Sequence, residues 1–149
     1  MPVIDESIVI RRPVHEVFDF LTHAENLPRW DSSMVECQQV GDAPVTVGTQ
    51  YTGATKILGR RIDWRTEVTD FQPNVRSASK CIEGQLTFEV SYEVAAVDGG
   101  THLRYRLAAE SGLGGAFGRA MEPIVQKAQT KVVKSNLLNL AGLLEKAAA

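Results

Sequence analysis

The stretch QLTFEVSYEVAAVDGGTHLRYRLAAE, residues 85–110, decides the fold. Leu86, Phe88, Val90, Tyr92 and Val94 alternate with Thr87, Glu89, Ser91 and Glu93, and Leu103, Tyr105, Leu107 and Ala109 alternate with the polar series His102, Arg104 and Arg106. A period of two is that of a strand with one dry face and one wet face. The turn VDGGT joins the two runs. Whether its two-residue loop is Asp98-Gly99 or Gly99-Gly100, Glu93 falls opposite Arg104 or Arg106, so the outer charges pair.

Upstream the same alternation recurs between Gly, Pro, Asn and Asp punctuation, in MVECQQV (34–40), TQYTGATKIL (49–58), RRIDWRTEVTDF (60–71) and VRSASKCI (75–82). Within 61–68, Ile62, Trp64, Thr66 and Val68 share the dry side. Residues 3–11, VIDESIVIR, read as a further strand, which makes seven. Between it and the others lies RPVHEVFDFLTHA, whose Val14, Val17, Phe18 and Leu21 repeat at i, i+3, i+4 and i+7, the mark of an amphipathic helix. Pro28 pushes Leu27 out of the helical region, so that helix ends or bends by ENLPRW, with room for a second short turn over 24–30.

Downstream of residue 111 the pattern is helical to the C-terminus. Phe117, Met121, Ile124, Val125, Ala128 and Val132 form one stripe, while Leu137, Leu140, Ala141 and Leu144 lie nearly opposite it. Either the helix bends near Asn136 or its last turns pack on something other than the first stripe's partner. A sheet with one apolar face must be covered, and the long helix is the element available. Long antiparallel strands coil, so the expected class is α+β: a curved seven-stranded antiparallel sheet gripping a long C-terminal helix, with two short helices between strands 1 and 2.

Bulk properties narrow the function. A chain of 149 residues fits one domain, residues 1–149, and its 44% hydrophobic and 23% charged content is that of an ordinary globular protein. A net charge of −2 gives no basic face for a nucleic acid. Cys37 and Cys81 form no CxxC, and His15, His23 and His102 are scattered, so neither a disulfide framework nor a metal site is expected. No basic leader with an apolar core and no apolar run of the ~18 residues needed to span a bilayer is present, which leads to the expectation of a cytoplasmic protein without integral membrane contact.

Several segments, RPVHEVFDFLTHAENLPRWDSSM (12–34), GTHLRYRL (100–107) and GLGGAFGRAMEP (112–123), together with the order of elements, resemble the polyketide cyclase/dehydrase branch of the START-like (SRPBCC, helix-grip) superfamily along essentially the whole chain. The resemblance implies a helix-grip fold with an internal cavity for a lipophilic ligand. Members of that superfamily cyclise aromatic polyketides, carry lipids or quinones, or bind hormones, so membership alone leaves the activity open.

Aromatic residues on the dry faces are the candidate cavity wall: Tyr51, Trp64, Phe88, Tyr92 and Tyr105, with Phe117, Met121 and Val125 from the helix stripe. Trp30 reads as a lid packing inward, with its neighbours Arg29 and Asp31 turned to water. VRSASKCI is polar on both faces, so either Ser77, Ser79 and Cys81 face in and supply hydroxyls and a thiol, or Arg76 and Lys80 do and supply a cation for an acidic ligand; the cost of a buried unpaired cation favours Arg76 and Lys80 outside. No GxSxG, HExxH or phosphate-binding glycine loop occurs, and GLGGAFGR reads as a turn that aims the long helix.

Three readings follow. One is binding of a small lipophilic or aromatic molecule in the cavity, without a cofactor. Another is a metal-free cyclase or dehydratase in which Tyr92, Tyr105 or Asp70, placed inward by the parity of Thr66 and Val68, moves protons. The third is a regulatory or protein-interaction role for the apolar face of residues 137–144, in a monomer or homodimer.

Overall fold

A computed structural model describes residues 3–57, 59–110 and 115–146, with the side chains of 110 and 115–126 left aside. Seven strands, β1 (Val3–Ile10), β2 (Met34–Gln39), β3 (Gln50–Ile57), β4 (Arg60–Gln72), β5 (Arg76–Gly84), β6 (Thr87–Val97) and β7 (Gly100–Glu110), form one antiparallel sheet in the order β1-β7-β6-β5-β4-β3-β2. Strands β2 to β7 are a meander in which each pairs with the next. β1 closes the far edge against β7. The helix α1 (Val14–Thr22), a 3₁₀ turn (Ala24–Asn26) and the four-residue helix α2 (Leu27–Trp30) therefore carry the chain from one edge of the sheet to the other, and α3 (Gly115–Lys146) covers it.

The hairpin of residues 85–110 takes one of the two expected registers. Val97 pairs with Gly100, the loop is Asp98-Gly99 with Gly99 at φ +79°, and Glu93 stands opposite Arg104. On the outer face Arg104 makes a bidentate contact to Asp5 of β1, Nε at 3.0 Å and Nη2 at 2.6 Å, and Nη1 reaches Glu93 at 3.9 Å. Exposed pairs of this kind contribute little to stability. They keep the wet face wet.

Two apolar clusters lie on the inner face. The larger joins Ile4, Ile10, Val17, Phe18, Leu21, Trp30, Val94, Leu103 and Tyr105 to Val133, Leu137, Leu140, Ala141 and Leu144 of α3. The smaller holds Ala24, Cys37, Tyr51, Trp64 and Val68. The second apolar face of α3 is thus spent inside the chain, on β1, β7 and α1, and α3 is one continuous helix through Asn136. Leu137, Leu140, Ala141 and Leu144, the face proposed for a protein partner, are buried against the rest of the chain, which corrects that expectation. Among the described residues no helix is long and apolar enough to cross a membrane.

Candidate functional site

Between the inner sheet face and the helices lies a cavity of about 230 Å³. A single water needs roughly 10–15 Å³ on the same kind of measure, so this is room for a molecule rather than a solvent defect. Its wall is mostly apolar, with Ile4, Leu21, Leu27, Met34, Leu86, Phe88, Val90 and Leu107 contributing. Half-buried Ile57, Ile62 and Leu86 with exposed Arg60 and Gln85 form its rim at the β3–β4 and β5–β6 turns.

The strand aromatics converge here. Tyr51, Trp64, Phe88, Tyr92 and Tyr105 all line the cavity. Trp64 stands edge-on to Phe88 with centroids 5.9 Å apart, and its Nε1 donates to Thr55 Oγ1 at 2.9 Å, so the indole is fixed from two sides. Its six-membered ring lies against Gly53, where an added Cβ would sit 2.6 Å from Cη2 and Cζ2. Tyr51 donates to the Thr22 carbonyl at 3.2 Å, which ties β3 to the end of α1. Tyr92 and Tyr105 are cross-strand partners with ring centroids 5.6 Å apart, and among the described residues neither hydroxyl has a hydrogen-bond partner.

Strand pairing settles the parity of β5. Ser77 pairs with Tyr92 and Ser79 with Val90, both dry positions, whereas Lys80 pairs with Glu89 on the wet face. Ser77 and Ser79 therefore line the cavity, and Arg76 and Lys80 are exposed. Cys81, half-buried, packs against the smaller cluster.

Asp70 is misplaced by the sequence reading. β4 pairs Val68 with Ser79 and Asp70 with Ala78, so Thr69 is one residue too many for its partner strand. A bulge of this kind shifts the parity beyond it. Phe71 returns to the core, and Asp70 goes to the surface as the ion-pair partner of Arg76. It has no part in the cavity.

Trp30 faces inward, as expected of it, but outside the main cavity wall. It is 2% exposed, stands edge-on to both Tyr92 and Tyr105 with centroids 6.4 Å away, and lies behind them rather than in the main cavity wall. Its Nε1 is buried with no hydrogen-bond partner among the described residues. Arg29 does point outward, against the Phe20 ring. Phe117, Met121 and Val125 lie outside the described residues as far as their side chains go.

Asp31 was expected in water and lies inside. Its Oδ1 accepts from Ser33 N at 3.0 Å, Ser33 Oγ at 2.7 Å and Asn136 Nδ2 at 3.1 Å, and the residue lines the cavity. Burial raises its carboxyl above the ordinary 3.8, against the opposing pull of the bonds from Ser33, Asn136 and Met34. Asn136 is the signal that could have found it. An asparagine in phase with Val133, Leu137 and Leu140 on the buried side of a helix must have a polar partner.

The other wall groups shift the same way. Burial pushes the Cys37 thiol up to about 12, and burial with the nearby Cys37 pushes Tyr51 to about 12. Tyr92 and Tyr105 rise well above 10, through burial first, then Tyr105 and Asp31 for Tyr92 and Asp31 for Tyr105. All five groups are thereby biased toward uncharged forms. They can donate hydrogen bonds or protons, and the tyrosines and thiol are poor bases at neutral pH. Among the described residues no cluster of His, Cys, Asp and Glu could hold a metal ion.

A family model described as polyketide cyclase/dehydrase and lipid transport matches residues 1–145. No curated protein sequence matches the chain. Among solved structures, the protein TTHA0849 of Thermus thermophilus superposes with a TM-score of 0.84 at 20% identity, covering 99% of this chain and 100% of that one. A START superfamily protein of Mycobacterium smegmatis gives 0.76 at 14% identity, with 97% and 98% covered. The ZhuI aromatase/cyclase of Streptomyces sp. R1128 gives 0.75 at 11%, with 99% and 96% covered. At these identities the likeness establishes the helix-grip fold, a curled antiparallel sheet with a C-terminal helix.

Proposed function

We propose that this chain, which belongs to the polyketide cyclase/dehydrase and lipid transport family, binds a small, uncharged lipophilic or aromatic molecule in its internal cavity. The observation that carries the reading is the wall itself. Apolar side chains and aromatic faces dominate it, and each titratable group resolved there (Asp31, Cys37, Tyr51, Tyr92, Tyr105) is biased toward its neutral form. Such a wall takes a neutral ligand at low cost and penalises an ion, which would surrender its hydration while the one cation among the described lining residues, Arg60, stands at the rim. The reading is of a cytoplasmic protein, monomer or homodimer.

Native mass spectrometry of the purified protein tests it. The expected result is an added mass of one small lipophilic compound that is released on denaturation, or saturable uptake of an apolar fluorophore by ligand-free protein. Protein that carries nothing and takes up nothing overturns the reading.

A second reading has its own support. Tyr92, Tyr105 and Asp31 bring two phenol hydroxyls and a carboxyl to one wall, and the fold is shared with an aromatase/cyclase. A reactive poly-carbonyl chain held there in a folded, near-attack geometry would need only modest acid assistance to cyclise or lose water. In that case Tyr105→Phe lowers turnover by roughly 10²-fold or more with little change in binding. Unchanged turnover in Tyr92→Phe and Tyr105→Phe alike removes this reading and leaves the binding one standing.

A further inference from the structure

The arginines of the sheet divide by face. Arg61, Arg65, Arg76, Arg104 and Arg106 stand on the wet face, and each ends on a carboxylate: Arg61 on Asp63 and Glu36, Arg65 on Glu83, Arg76 on Asp70, Arg104 and Arg106 on Asp5. Arg60 differs from all of them. It pairs with Ile57 across the β3–β4 turn and alternates with Ile62 and Trp64 along β4, which puts its Cβ on the dry face. Among the described residues its side chain has no ion-pair or hydrogen-bond partner.

Arg60, Ile62, Trp64 and Thr66 line the cavity at alternate positions of β4, so the wall follows this strand for roughly 20 Å and ends on a cation. Arg60 is exposed at that end, with Ile57 beside it and Gln85 and Leu86 of the β5–β6 turn completing the rim. The one carboxyl among the described lining residues, Asp31, is engaged by Ser33 and Asn136 instead. An ion drawn wholly into the cavity would lose its hydration to an apolar wall. An anion that stops at the rim keeps part of its water and gains a guanidinium, whose parallel N–H donors fit a carboxylate or phosphate.

We propose that the ligand is an amphiphile: an apolar body within the wall, joined to a single oxyanion end, carboxylate or phosphate, that Arg60 holds at the rim. The proposal rests on the ligand-binding reading above and extends it from a wholly neutral molecule to one that keeps its charge outside the wall. β4 thereby supplies the cation for an acidic ligand that β5 does not, since Arg76 and Lys80 face outward.

Displacement of a neutral apolar fluorophore, N-phenyl-1-naphthylamine, from the intact chain at neutral pH tests this with octanoate, octyl phosphate and octanamide, which differ in their end group. At low salt, wild-type protein is expected to bind at least one of the two anions about threefold to tenfold more tightly than the amide, as a single exposed charge-assisted contact allows. The advantage should shrink as salt is added. Which anion gains more distinguishes a free carboxylic acid from a phosphate head group. Arg60→Gln should abolish the advantage and Arg60→Glu reverse it, with octanamide binding nearly unchanged. Arg61→Gln removes the neighbouring cation on the wet face and should leave the advantage in place, a contrast that net charge alone would not give. Octanamide bound as tightly as both anions, equal losses in Arg60→Gln and Arg61→Gln, or no displacement by any of the three overturns the proposal, while fluorophore uptake keeps the cavity reading. Wild-type protein that takes up no fluorophore overturns both.

Discussion

Asn136, 6% exposed on α3, donates from Nδ2 to Asp31 Oδ1 at 3.1 Å, while its own Oδ1 accepts from Ser32 N at 3.1 Å and Ser32 Oγ at 3.0 Å. One side chain thus clamps the loop after α2 to the covering helix, and Asn139 three residues on donates to the Arg29 and Trp30 carbonyls at the end of α2. Removing the clamp strands a backbone N–H and part of a buried carboxyl together. Asn136→Ala should therefore cost about 1–3 kcal/mol. Thermal and urea denaturation would read this as a midpoint lower by several degrees at unchanged cooperativity, and an effect within error of zero would mean that water replaces the amide without loss.

The Asp31 carboxyl gives a pH dependence whose sign is fixed. Its proton affinity is raised in the folded chain by burial, so between the ordinary 3.8 and the higher folded value the native state binds a proton that the unfolded state has lost. Its contribution to stability is therefore complete below 3.8 and disappears as pH rises through the folded value. Other carboxylates, such as Asp5 held low by Arg104, act in the opposite direction. The difference between wild type and Asp31→Asn isolates the group: stability of the wild type relative to Asp31→Asn should fall as pH rises from about 4 through the titration and then level off. Parallel curves across that range would show that Asp31 titrates normally.

Legibility in the sequence followed physical rules that can be traced to single residues. Alternation over 86–94 and 103–109 placed the dry face, and the VDGGT turn limited the partner of Glu93 to Arg104 or Arg106, between which the Asp98-Gly99 loop decides for Arg104. The parity of Ser77 and Lys80 was open in VRSASKCI alone, and cross-strand partners fix it. The bulge at Thr69 carried no glycine or proline to mark it, so parity carried past Val68 put Asp70 on the wrong side. Asp31 was misread for a different reason. Flanking charges of both signs around a tryptophan suggest a solvated rim, and only the polar Asn136 in a buried helical stripe argues that one of them turns in.

Gly53 sets the depth of the cavity wall. An added Cβ would meet the Trp64 ring at 2.6 Å and the Glu36 carbonyl at 2.5 Å, and neither can withdraw easily, since Glu36 is paired backbone and the indole is held by Thr55 and Phe88. Gly53→Ala should cost about 1–3 kcal/mol as an overpacked site and push the indole toward the cavity. In a Trp30→Phe background, where Trp64 is the remaining tryptophan, its emission should shift and the affinity for an apolar probe should drop. Unchanged emission and affinity would show that the strand itself bends away.

Trp30 separates a plug from a door. A lid residue governs exchange and can be truncated with little loss of stability in the ligand-free protein. A plug under two tyrosines cannot. Trp30→Ala would leave Tyr92 and Tyr105 without their edge-on partner and open a large cavity in the main cluster, at a cost of roughly 3–5 kcal/mol. Against a total stability of about 5–15 kcal/mol for a domain, that is enough to unfold a marginal protein. Trp30→Phe keeps a ring between the tyrosines and should cost much less. Denaturation of the two ligand-free variants distinguishes the cases: a steep loss for alanine with a shallow one for phenylalanine marks a plug, whereas wild-type stability in both, with faster release of a bound probe, would restore the lid.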